Sequence, residues 1–102
     1  MEATNKLPLN GVRVVDFGQQ IAGPAVAMIL ADLGATVVHI DPIDGPLWDH
    51  PANAVLNRNK LCLRLDLRQA EGLTQAHALI ARADIVIESD RPGAMKAAGI
   101  DF

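Results

Sequence analysis

Val12-Arg13-Val14-Val15-Asp16-Phe17, closed by Gly18, decides the fold. The run is β-branched and apolar and ends on a glycine, so it reads as a buried strand. The loop Gly18 to Gly23 leads to Pro24, which suits the first position of a helix because its missing N–H has no partner to lose there. The helix from Pro24 to Leu33 carries Val26, Met28, Ile29, Leu30 and Leu33 and is apolar on nearly every side, which predicts deep burial. Gly34 then caps it. Thr36-Val37-Val38-His39-Ile40-Asp41 is a second strand, stopped by Pro42.

Working outward, Pro42 to Asn57 is an irregular connection rich in proline, with a short helical turn over Ala52 to Leu56 and Trp48 as a packing anchor or ligand platform. Leu61 to Arg68 alternates without a break. Its leucines point one way, and Cys62, Arg64, Asp66 and Arg68 point the other, as in a strand with one wet face. Gln69 to Arg82 has helical spacing, although Gly72 should weaken its first turn by about 1 kcal/mol relative to alanine. Asp84-Ile85-Val86-Ile87-Glu88 is a fourth strand, and Pro92 to Ala98 a short helix ended by Gly99.

Strands alternating with helices predict a parallel sheet with helices on both faces. The apolar first and fourth strands belong at the centre and the alternating third at an edge. A Rossmann-like α/β sheet of about four strands in order 3-2-1-4 satisfies both conditions. Nothing in the sequence covers the far side of the fourth strand, and an open apolar edge is a liability. The expectation is that residues 1–102, with a leader over 1–8, form the first half of a larger domain or pair with another chain.

Composition narrows the function. Half the residues are apolar and 21% are charged, which is globular rather than disordered. No apolar run approaches the roughly 18 residues of a membrane span, and no secretion signal opens the chain. Cys62 is the only cysteine, which excludes an internal disulfide, and no Cys/His spacing suggests a metal site. The net charge of −3 argues against a nucleic-acid partner. A cytoplasmic protein is expected.

Ligands of such a sheet bind beyond the carboxyl ends of its strands. Here that rim comprises the loops Gly18 to Gly23 and Ser89 to Gly93, with a helix N-terminus and Arg91. Arg58, Lys60, Arg64 and Arg68 add a cationic strip, which is either a solvated face or an anion site. The loop lacks G-x-G-x-x-G, which argues against NAD, although Asp41 stands where a ribose-binding acid would. No P-loop motif is present. Catalytic groupings are sparse. His39, His50 and His77 read as structural or exposed. Cys62 has cationic neighbours, Lys60 and Arg64, that could lower its pKa, but reads better as a small residue of an edge strand. Asp16 is a carboxylate that orients its loop by accepting backbone N–H bonds, the favoured reading, or a catalytic carboxylate.

Three blocks carry a family resemblance. They are Leu9 to Phe17 with Ala22-Gly23-Pro24 and Ala31 to Asp41; Leu56 to Lys60 with Leu65 to Arg68 and Glu71-Gly72; and Ala83 to Glu88 with Arg91-Pro92-Gly93. Together they resemble the opening of family III CoA-transferases, from Leu7 onward. The α-methylacyl-CoA racemases share this opening, so the blocks leave transferase and racemase both open. A third alternative is a non-catalytic module pairing with another subunit.

The resemblance implies a longer, dimeric enzyme binding coenzyme A on a Rossmann-like domain. Its transferases move CoA between an acyl-CoA and a small carboxylic acid through intermediates on an aspartate that lies downstream of the matched region. No catalytic residue is therefore assigned here, and this piece alone is expected to be inactive. The implied CoA contacts are Gln20, Ile21 and Ala22 near the thioester, Leu65 and Arg68 near the nucleotide, and Ser89, Asp90 and Arg91 after the fourth strand. The family often has glutamine at Ile21, lysine at Arg68, Asn-Phe at Ser89-Asp90, and basic residues at Pro42 and Ala97. Arg58, Lys60 and Arg68 gain weight as a phosphate site.

Overall fold

The computed structural model describes residues 7–46, 50–88 and 99–100. Its elements are β1 (Arg13–Asp16), α1 (Ala22–Asp32), β2 (Thr36–Pro42), α2 (Asn53–Leu56), β3 (Leu61–Leu65), α3 (Ala70–Ala81) and β4 (Ile85–Ile87). The strands form one parallel sheet in the order β3-β2-β1-β4. This is the order expected from the apolar and alternating runs.

Alternation along each strand divides the core between the two faces. Val14 and Val37 point to the face covered by α1, where Ala27, Ala31 and Ala35 complete the cluster. Val15, Phe17, Ile40 and Leu65 join Ala76 of α3 and Ile100 in a second cluster. The small alanines let α1 lie close to the sheet.

Three local expectations change. α1 begins at Ala22, so Pro24 sits inside the first turn rather than at its start. This is tolerated because the first four helical N–H groups have no intrahelical acceptor anyway. The helix is also not buried all round. Ala27, Ala31 and Leu30 meet the sheet-side cluster, whereas Val26, Ile29 and Leu33 remain 51%, 54% and 40% exposed. The leucine ridge of β3 is likewise only partly covered. Leu65 is buried against the α3 cluster, whereas Leu61 is 63% exposed.

Gly72 has a role that helix propensity misses. α3 starts against the backbone of Asp66, so a Cβ at Gly72 would overlap the Asp66 carbonyl oxygen and stand 2.9 Å from its carbon. Ser89, Asp90, Arg91, Trp48 and the expected helix from Pro92 to Ala98 lie outside the described residues.

Candidate functional site

The carboxyl ends of β1 and β2 carry a buried polar network on the α1 face. In register, Asp16 of β1 pairs with His39 of β2, and His39 pairs with Cys62 of β3. Asp16 is fully buried. Its Oδ1 accepts the Gly18 N–H at 2.7 Å, closing the turn after β1. Its Oδ2 meets His39 Nδ1 at 2.7 Å and accepts from Lys60 Nζ at 3.0 Å. The Lys60 side chain is fully buried as well. It donates further to the Pro24 carbonyl and to Asn57 Oδ1, both at 3.0 Å, so each ammonium hydrogen has an acceptor.

Burial alone would raise the Asp16 carboxyl. The His39 hydrogen bond, the Lys60 and His39 charges and the Gly18 N–H together hold it below its ordinary value. Burial likewise opposes a charge on His39, but Asp16 and Asp41 outweigh it and raise the ring's pKa. His39 Nε2 lies 2.9 Å from Asp41 Oδ1, so the imidazole spans two carboxylates. Asp16 thus fulfils the structural reading of its sequence, orienting the loop.

On the opposite face, a cavity of about 300 Å³ opens beyond the ends of β1, β2 and β3. Phe17, Ile40, Leu65 and Leu67 give it an apolar floor, and Gln19, Asp41, Asp44, Asp66 and Arg68 a polar rim. Gln19 Nε2 donates to Asp41 Oδ1 at 3.0 Å and to the Gly18 carbonyl at 3.0 Å. Arg68 is 75% exposed and donates from Nε to Asp66 Oδ1 at 2.9 Å. That pair lowers the Asp66 pKa and raises that of Arg68. The rim therefore sets three carboxylates against one partly engaged guanidinium, which favours neutral hydrogen-bond donors on the cavity side and leaves Arg68 for an anion outside.

The expected CoA contacts separate into three groups. Leu65 and Arg68 meet at the cavity. Gln20, with φ of 67°, borders a narrow cleft shared with His39, Asp41 and Asn57, while Ile21 caps α1 and Ala22 opens it, both exposed. Arg58 and Lys60 leave the strip drawn from sequence. The Arg58 guanidinium binds Asp32 of α1 at 2.6 Å, and the Lys60 ammonium turns into the Asp16 network. The structure does not bring these two to the cavity. Ser89, Asp90 and Arg91 are outside the described residues.

Sequence reasoning passed over Phe17 and Gln19 as site residues. The signal was the position of both at the end of β1, the side from which a parallel sheet binds ligands. Cys62 lies in the edge strand β3, as its favoured sequence reading has it, and only the alternative of an activated thiol is opposed. Burial and the Asp41 charge raise its pKa, whereas adjacent cations had suggested a lowered one. Lys60, the nearest cation, is committed to Asp16. Among the described residues no group of three His, Cys, Asp or Glu side chains could hold a metal ion, and no helix is long and apolar enough to cross a membrane.

Proteins of like sequence and fold are known. The chain is 71% identical over its whole length to the CoA-transferase/lyase DddD of Marinomonas sp. (strain MWYL1), of which it spans 12%. It is 38% identical to the alpha-methylacyl-CoA racemase of Mus musculus over 86% of the chain and 22% of that protein. A CAIB/BAIF family protein from Brucella suis superposes on 95% of the chain and 29% of its own with a TM-score of 0.86 and 32% identity. The sequence model of CoA-transferase family III matches residues 9–102, the span that contains the sheet, the buried network and the cavity rim, and the chain therefore belongs to CoA-transferase family III.

Proposed function

We propose that residues 1–102 form the CoA-binding lobe of an enzyme that transfers CoA between an acyl-CoA and a small carboxylic acid. The observation that carries this reading is the cavity floored by Leu65 and rimmed by Arg68, at the strand ends where an α/β sheet receives nucleotides. The nucleotide end of CoA lies over this cavity. The adenine amino group and the free ribose hydroxyl face Asp41 and Asp66 as donors, and the phosphates face outward to Arg68. The pantetheine arm then runs along Gln20, Ile21 and Ala22 toward a thioester. The carboxylate that attacks this thioester is supplied from outside these residues. Ser89, Asp90 and Arg91, which follow β4 in sequence, are further CoA contacts in this reading.

High identity to a CoA-transferase/lyase favours transfer over racemisation, and the racemase reading keeps its support in the mouse relative. The exposed Val26, Ile29 and Leu33 of α1 suit cover by the rest of a longer chain or by a second copy, and a cytoplasmic dimer fits both. Calorimetric titration of the full chain with CoA tests the proposal. Arg68→Glu should weaken binding roughly fivefold, with a shallower salt dependence. Unchanged affinity in that variant, or no heat from CoA at millimolar concentration, would overturn it.

A further inference from the structure

Three charged side chains and an imidazole meet at the switch end of the sheet, and among the described residues Asp41 and Gln19 link them to the cavity. His39 Nδ1 faces Asp16 Oδ2 at 2.7 Å, and Nε2 faces Asp41 Oδ1 at 2.9 Å. Ionised carboxylates only accept, so both contacts are satisfied together only when both ring nitrogens carry hydrogen. The same Asp41 Oδ1 accepts Gln19 Nε2 at 3.0 Å, and both Asp41 and Gln19 line the cavity.

We propose that His39 is a positioning residue, an imidazolium clamped between Asp16 and Asp41, which fixes the Asp41 carboxylate and the Gln19 carboxamide at the cavity rim and releases them when the ring loses a proton. The ligand consequence rests on the CoA reading given above.

Among the described residues, the titratable groups around His39 come from the three strands β1, β2 and β3 and the segment before β3, while α1 brings the uncharged Pro24. β1 contributes Asp16, β2 contributes Asp41, the segment before β3 contributes Lys60 through Asp16, and β3 contributes Cys62 at the paired register position. They decide which proton leaves. Asp16 is fully buried and holds two further donors, Lys60 and Gly18, so its short bond to Nδ1 is kept. Asp41 is 13% exposed, and Nε2 points at it. Loss of the Nε2 proton sets a lone pair against the carboxylate, and Asp41 turns away with Gln19. The two carboxylates raise the ring's pKa above its ordinary 6.5, so the clamp is held at pH 6.5 and opens as pH rises through the higher value.

The test uses the full chain labelled with ¹⁵N-histidine and ¹⁵N-glutamine, with CoA as the probe. Both His39 ring nitrogens should carry protons at pH 6.5. The Gln19 carboxamide signal and CoA affinity should change together as Nε2 titrates, with binding weakened roughly three- to tenfold above that point. His39→Gln can place a donor near the Nε2 position and should keep most of the affinity without its pH dependence. His39→Asn reaches only toward Asp16 and should lose affinity. Equal behaviour of the two variants, or a wild-type ring with one bare nitrogen at pH 6.5, would overturn the clamp. If neither variant folds, the wild-type ring and carboxamide signals still decide. Absence of CoA binding with an intact titrating clamp would refute the CoA reading alone.

Discussion

Lys60→Met separates a structural cation from a phosphate contact. Methionine keeps the buried stem and removes the ammonium that donates to Asp16, Pro24 and Asn57. Asp16 would keep its Gly18 N–H and His39 but face the interior without its full counter-charge. Breaking a buried pair in this way costs about 3–5 kcal/mol, because the partner charge is left uncompensated. That is a large share of the roughly 5–15 kcal/mol that stabilises a typical domain. Native-state hydrogen exchange at the β1 and β2 amides reads the loss where it occurs. Asp16→Asn added to Lys60→Met should recover part of it, since a neutral amide needs no counter-ion, with a coupling of about 1–3 kcal/mol between the two sites. The reasoning fails if Lys60→Met changes protection by less than about 0.5 kcal/mol, the usual size of a surface effect, while CoA binding drops. That result would put the ammonium on the ligand.

Three other outcomes follow from the same coordinates. Gly72→Ala should destabilise by about 1–3 kcal/mol, measured by denaturant unfolding, because its methyl meets the Asp66 backbone; a gain of stability would mean that helix propensity wins there. Stability should fall at both ends of the pH scale. The lowered Asp16 value contributes stability that is complete above the ordinary 3.8 and is lost as pH falls through its folded value. The raised His39 value contributes stability that is complete below 6.5 and is lost as pH rises through its folded value, so a flat profile above 6.5 would contradict it. Cys62, exposed but with its thiol pKa raised by burial and Asp41, should react with iodoacetamide more slowly at pH 7 than a free cysteine does, and faster alkylation would show a thiolate instead.

The sheet was legible because its signals are local and periodic. The apolar run at Val12 to Phe17, the alternation from Leu61 and the punctuation by Gly34 and Pro42 each fix one element, and handedness rules then leave little choice of order. What escaped depends on packing between distant segments. Nothing near Lys60 in sequence announces that its stem enters the interior to meet Asp16. Charge clustering placed Arg58, Lys60 and Arg68 together, but a chain turning through α2 into β3 sends one to Asp32, one inward and one to the cavity rim. Gly72 misled for a related reason, since propensity counts the helix alone while the Asp66 backbone sets its packing. The apolar circumference of α1 was read as burial, yet only the side meeting the sheet is covered among the described residues.

The central claim is that the cavity beyond β1, β2 and β3 receives the nucleotide end of CoA. Amide chemical-shift mapping of the full chain during titration with CoA, and separately with adenosine 3′,5′-bisphosphate, tests it most directly. Both ligands should move Gln19, Ile43, Leu65, Leu67 and Arg68, with only CoA also moving Gln20 to Ala22. Shifts confined to Val26, Ile29 and Arg58 on the other face, with the cavity residues unmoved, would contradict it.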